Sequence, residues 1–281
     1  MRRNGGIFWG IVLTGAGGLL LLSNLRIIQI SIWSALWPLF LIAIGMWIIL
    51  GVASRQGEAV TEVRQVSVPL EGAEKAEVHI NYNAGRIHLN GSRGVEAGQA
   101  MAGSFAGGIA CTAKRAGAKL DLKMESTAVH LSLPWNWGPH SREWVFGLNG
   151  DIPLALDINT GANEAFFDLS PLRVTDLKVE TGASSTKMIL PAHAGHTQAK
   201  VKTGASSMSV HVPSSTALRV RKKGELSTIT VDTAHYPLVG EGLYQSPDYD
   251  TAANKIDLEI EAEIGSVDIR QKPAQEEVHL L

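Results

Sequence analysis

Thr160-Gly161-Ala162, Thr181-Gly182-Ala183 and Thr203-Gly204-Ala205 repeat one tripeptide, and a weaker copy follows at Lys223-Gly224-Glu225. Successive glycines stand 21, 22 and 20 residues apart. A fixed period of roughly 20–50 residues is the signature of stacked structural repeats, each of which contacts only its neighbours. Around each glycine the apolar residues alternate. Leu156 and Ile158, Leu177 and Val179, and Ala199 and Val201 precede it; Phe167 and Leu169, Met188 and Leu190, and Val210 and Val212 follow. A period of two marks a strand with one buried face. Pro191 and Pro213 close two repeats at the same offset and Pro171 closes a third, which suits strand ends. One rung therefore reads strand, glycine corner, strand, proline stop.

Partial copies flank the block. Ile80 and Tyr82 precede Gly85, and Ile260 and Ala262 precede Gly265, each followed by further alternating apolar residues. The expectation is a mainly β chain: a single-stranded β-solenoid, or β-helix, over 66–271. Its structural corners are Gly85, Gly161, Gly182, Gly204, Gly224 and Gly265, each chosen because glycine has no β-carbon and accepts positive φ. On that basis valine at Gly182 or Gly204 is expected to damage folding.

The 281 residues leave room for one large domain and an anchor. A net charge of −2 provides no global field to draw nucleic acid. The single cysteine, Cys111, allows no intrachain disulfide. Residues 1–53 are expected to be a transmembrane hairpin with helices at about 5–22 and 31–52, both free of charge but for Arg26 between them. Arg2, Arg3, Arg55 and Arg64 flank the outer ends, so the positive-inside rule places both ends in the cytoplasm. Residues 54–65 read as a linker and 272–281 as a flexible tail.

Interruptions of the repeat are the places where a partner would be chosen. Trp135, Trp137 and Trp144 share one stretch and read equally as an interaction loop, as a cover for an open solenoid end, or as a membrane-facing loop. Arg219, Arg221, Lys222 and Lys223 form a basic run on the weak fourth rung. It is either a solvated edge or a contact for anionic lipid or an acidic partner, with Lys187, Lys200 and Lys202 nearby in the repeat. His193 and His196 lack further metal ligands in sequence. Gly103–Gly108 lacks the Gly-Lys-Ser/Thr ending of a phosphate cradle. Ser184, Ser185, Ser206 and Ser207 recur with the rung, which favours a structural role over nucleophilic chemistry. The acids Glu164, Asp168, Glu180 and Asp232 occupy no common position, against a carbohydrate-cleaving groove. No catalytic residue, metal site or cofactor is expected.

The segment Gly5–Val52, with Trp37-Pro38 and Gly45 its most telling positions, resembles the transmembrane region shared by LiaI/LiaF-like bacterial envelope-stress proteins. The Thr-Gly-Ala rungs resemble the adhesin-like or toast-rack β-helix domains fused to such regions. The resemblance implies a non-enzymatic protein of the bacterial cytoplasmic membrane. Its implied role is to sense or regulate cell-envelope stress through a partner such as a sensor histidine kinase. The residues leave open a scaffold that polymerises as a homo-oligomer through its solenoid, as bactofilins do. The insertions at 134–144 and 235–254 lie outside the family pattern.

Overall fold

The alternation read around each glycine becomes, in the computed structural model, a ladder of paired strands. The structure describes residues 40–41, 63–127, 142–223 and 228–272. The expected hairpin lies outside these residues, apart from Phe40 and Leu41, whose backbone is helical. Among the described residues no helix is long and apolar enough to cross a membrane. The linker up to residue 62, Gly224 and the tail from 273 also lie outside them.

In chain order the strands are β1 (Val63–Pro69), β2 (Lys75–Asn90), β3 (Gln99–Ala106), β4 (Ala110–Ala116), β5 (Lys119–Glu125), β6 (Glu143–Leu148), β7 (Leu154–Asp168), β8 (Val174–Thr181), β9 (Ser184–Ile189), β10 (His196–Val212), β11 (Ala217–Lys223), β12 (Thr228–Val231), β13 (Leu238–Gly240), β14 (Leu243–Gln245) and β15 (Lys255–Gln271). Each rung has two halves joined at a bend. The first half of β7 pairs in parallel with β8 and its second half with β9. β10 continues both pairings, β8 against its first half and β9 against its second. Burial switches parity at the bend. Leu154, Leu156, Ile158 and Thr160 point inward before it, and Ala165 and Phe167 after it. Both halves therefore turn their apolar faces onto one core.

Register stacks like on like. Ile80, Ile158, Val179, Val201 and Ile260 form one column, each with no exposed surface. Leu89, Phe167, Met188, Val210 and Ile269 form another. Each such side chain contributes about 1.5–3 kcal/mol on burial, and no rung can collect that alone.

The rungs do not stack in sequence order. β15, the last strand, lies between β10 and the pair β11 and β12, parallel to all three. The weak fourth rung thus rests on 255–271 rather than on the third Thr-Gly-Ala rung. At the other end, β5 and β6 together form a rung against β2. The glycine-rich stretch 91–117 holds β3 and β4. β3 runs antiparallel to β6 and β1 antiparallel to β3, while β4 runs antiparallel to β5. Gly103 is needed because a Cβ there would overlap Phe146 on β6. The 235–254 insertion supplies β13 and β14, and β14 pairs antiparallel with β11, so it covers the first-half sheet's last rung.

The corner glycines fall into two kinds, which corrects the common positive-φ requirement. Gly85 and Gly265 have φ of 127°, whereas Gly161, Gly182 and Gly204 are not in the left-handed region. The register also differs from the glycine alignment. Gly85 pairs with Asn163, and Gly265 with Ser206, two positions past the Thr-Gly-Ala glycines. At the central rungs the requirement is close approach. A Cβ on Gly161 would overlap the Asn83 carbonyl, while on Gly182 and Gly204 it would stand 3.1 and 3.2 Å from the preceding glycine's oxygen.

Candidate functional site

Because alternate residues of every rung point outward, charged side chains form columns on the outer face of the first-half sheet. Asp157, Lys178, Lys200, Glu259 and Arg221 follow one another in register across β7, β8, β10, β15 and β11. A groove of about 640 Å³ runs over them, walled on one side by Leu243 of β14.

Opposite charges meet across rungs. Lys178 lies 3.8 Å from Asp157 and 3.2 Å from Glu180. Lys200 and Lys223 share Glu259 at 3.0 and 2.9 Å. His196 stands 2.7 Å from Asp257, which Arg219 also approaches at 3.6 Å. The hydrogen bonds from Lys223 and Lys200 hold the Glu259 carboxyl below the ordinary glutamate range. Burial pushes the Asp257 carboxyl up. Tyr249, His196 and the Arg219 charge outweigh it, so the group titrates below its ordinary range. Burial, with the neighbouring Asp257, pushes the Tyr249 phenol up to about 12. Partly exposed pairs of this kind are worth about 0–1 kcal/mol each, so the ladder does little for stability. What it supplies is a fixed pattern of charge on the outer face of the sheet.

The residues singled out from sequence are distributed differently. Arg219 is held by Asp250 and Asp257, donates to the Gln245 side chain at 2.8 Å and stacks 3.9 Å over Tyr249. Lys223 is paired with Glu259. Lys222 does not face outward with them. It occupies the core column after Ile260, and its ammonium donates to the Ile229 carbonyl at 2.7 Å. Arg221 lines the groove, and its side chain has no ion pair or hydrogen bond among the described residues. Lys200 and Lys202 share this face, but Lys187 lies on β9, on the other sheet. His193 stands in a return loop apart from His196's pairing with Asp257.

Trp144 is corrected outright as a contact residue. It lies in β6, 1% exposed, with its ring 4.8 Å from Tyr82 and 5.2 Å from Phe105. Trp135 and Trp137 lie outside the described residues. The groove's own residues Asp157, Lys178 and Lys200 were not singled out together from sequence. A signal was present, since their spacing repeats that of the glycines.

The comparisons with known proteins agree with this architecture. The model of the LiaI-LiaF-like transmembrane region matches residues 7–49, which gives the chain a membrane association. A solved structure of a candidate cell adhesion protein from Clostridium sporogenes ATCC 15579 superposes with a TM-score of 0.66 at 21% identity. The match covers 75% of this chain and 99% of that one, a likeness of fold. A candidate adhesin from Bacteroides fragilis NCTC 9343 is 9% identical over 74% of this chain and 97% of its own, with a TM-score of 0.25. No curated protein matches. The model of the N-terminal domain of toast_rack, DUF2154, matches residues 56–211, more than half of the chain, and the described rungs continue past that match to Gln271. The chain belongs to the toast_rack N-terminal domain family, joined to a LiaI-LiaF-like transmembrane region.

Proposed function

We propose that this is a non-enzymatic, membrane-anchored regulator of the bacterial cell envelope, whose solenoid presents the charged groove to a protein partner such as a sensor kinase. The observation that carries this reading is the fusion of the two family regions in one chain. The groove supports it, because its charges are held in register by a rigid sheet and Arg221 is available to a partner's carboxylate. The host is the bacterial inner membrane, crossed twice, with the solenoid in the cytoplasm. The arginines flanking the two apolar spans are the support for that orientation.

The shape of the ends favours a regulator over a polymerising scaffold. Stacking copies head to tail requires bare parallel rungs at the ends. Here β4 and the β1–β3 pair are antiparallel additions over both halves of one end, and at the other end β14 and β13 cover β11 but not β12, so head-to-tail stacking is blocked at one end in full and at the other in its first half. To test the reading, a photoactivatable amino acid is placed at position 221 and the full-length protein is crosslinked in its native membranes. Recovery of a histidine kinase supports it; recovery of this chain alone sinks it in favour of the scaffold. A reporter fused after residue 271 checks the orientation, and periplasmic activity there overturns the cytoplasmic placement.

A further inference from the structure

Inside the bend, each Thr-Gly-Ala rung contributes two polar side chains that face one another. Register stacks Thr160 on Thr181 and Thr181 on Thr203. It also stacks Asn163 on Ser184 and Ser184 on Ser206. In the third rung the two positions meet directly, Thr203 Oγ1 with Ser206 Oγ. That contact shows that the two columns look into a common space.

The first two rungs lack such a contact. Thr160 is 3% exposed and Thr181 6%, and neither hydroxyl has a protein partner among the described residues. Both amide atoms of Asn163 are likewise out of reach of solvent and without a protein partner. Ser184 turns to Thr186 at 3.2 Å instead. Four unpartnered polar atoms thus converge within two successive rungs. Each would forfeit a sizeable part of a domain's net stability if left dry, so their clustering requires something that both donates and accepts.

The flanking rungs close this space at both ends. Tyr82 stands in register with Thr160, and its hydroxyl is taken up by the carbonyls of Arg142 and Arg86 at 2.8 and 3.0 Å. Ala262 stands in register with Thr203. At the second polar position those rungs have Gly85 and Gly265, which bring no side chain. A chamber at these positions would be three rungs long, polar within and apolar at its ends.

We infer that this chamber is a hydration site, in which ordered water bridges Thr160, Asn163 and Thr181. Water fits because it can donate to one threonine hydroxyl and to the Asn163 Oδ1 while accepting from the other hydroxyl and from the Asn163 Nδ2. A metal ion does not fit, since the chamber has no carboxylate, imidazole or thiolate. Buried water with two to four polar partners behaves as a part of the fold. The inference gives the recurring threonine a purpose separate from the glycine's: Thr marks a wet bend and Gly a close one.

Thr160→Val and Thr181→Val test it, because valine keeps the shape and deletes the hydroxyl. In a wet chamber each change strands a water hydrogen bond, so Tm of the full-length protein falls, on the order of 2–4 °C. The two changes together cost less than the sum, because they share a ligand. In a dry chamber each change removes an unpaired polar atom, so Tm rises. Thr203→Val, whose hydroxyl has Ser206, calibrates the loss of a direct bond. An unchanged or raised Tm in either of the first two variants overturns the inference. So does a crystal structure of the full chain with no density peak about 2.7–3.2 Å from Thr160 Oγ1 and Thr181 Oγ1.

Discussion

The amide of Lys255 donates to the carbonyl of Gly195 at 2.7 Å, and this bond starts the last rung beside the third Thr-Gly-Ala rung. On its other side Ala217 donates to Asn254 at 3.0 Å. The rung formed last in the chain is therefore a central one. Among the described residues, the strands of the preceding rung, β11 and β12, pair with the body of the solenoid through it.

Ile260 lies in the middle of that rung, between Val201 and the stem of Lys222. Ile260→Ala is expected to lower stability by about 2–5 kcal/mol, as for other fully buried aliphatics. Chemical denaturation measures the loss. Amide exchange should quicken in 217–231 along with 255–271; a change confined to 255–271 would contradict the dependence of one rung on the other.

Alanine distinguishes the two kinds of corner. At Gly265 it meets both a φ of 127° and the Ser206 carbonyl, so Gly265→Ala should cost about 1–3 kcal/mol or more. At Gly182 the backbone is unstrained and the Gly161 carbonyl, 3.1 Å from the added Cβ, has to give by only a few tenths of an ångström, so Gly182→Ala should cost clearly less than Gly265→Ala. Equal losses of Tm would refute the distinction.

Trp144→Ala should destabilise by about 3–5 kcal/mol, because the ring is enclosed by Tyr82 and Phe105. Trp144→Phe should recover part of that. In a crosslinking assay the folded Phe variant should retain its partner. Loss of the partner with stability intact would restore the tryptophan to a contact role.

Acid should loosen the groove. Glu259 is held below its ordinary value of 4.5 by Lys223 and Lys200. A carboxyl depressed by folding contributes stability that is present above its unfolded pKa and is lost as pH falls through the folded one. Glu259→Gln should therefore lower Tm modestly at neutral pH and converge with the wild type between about pH 5 and pH 3, so that its acid limb is the flatter one. A steeper acid limb in the variant would reverse the sign.

Much of the fold was legible because its period is written in two independent alphabets. The Thr-Gly-Ala spacing and the alternating aliphatics agree on where rungs begin and end. The stacking order was not legible, since any rung with aliphatics at the inward positions satisfies its neighbour's column. Leu258 and Ile260 serve beside Ala199 and Val201 as well as Val220 would have. The mistaken glycine alignment has a related cause: Gly85 and Gly265 were matched to the nearest corner glycine rather than to the inward residues on both sides. Trp144 could have been read correctly. It alternates with Phe146 and Leu148, a strand signal hidden by its proximity to other tryptophans. The groove was harder to see because its charges come from five strands and are neighbours only after stacking.

The rung made of β5 and β6 departs from the pattern in one way. Its chain leaves the bend after Ser126, which accepts from the Asn83 amide at 3.4 Å, and returns at Arg142, whose carbonyl accepts from the Arg86 amide at 2.8 Å. The detour begins and ends on the line of corners, so the ladder on either side keeps its register. That line is where added sequence would disturb the described core least. An epitope or a small domain spliced between 126 and 142 should leave the described rungs, and their Tm, intact.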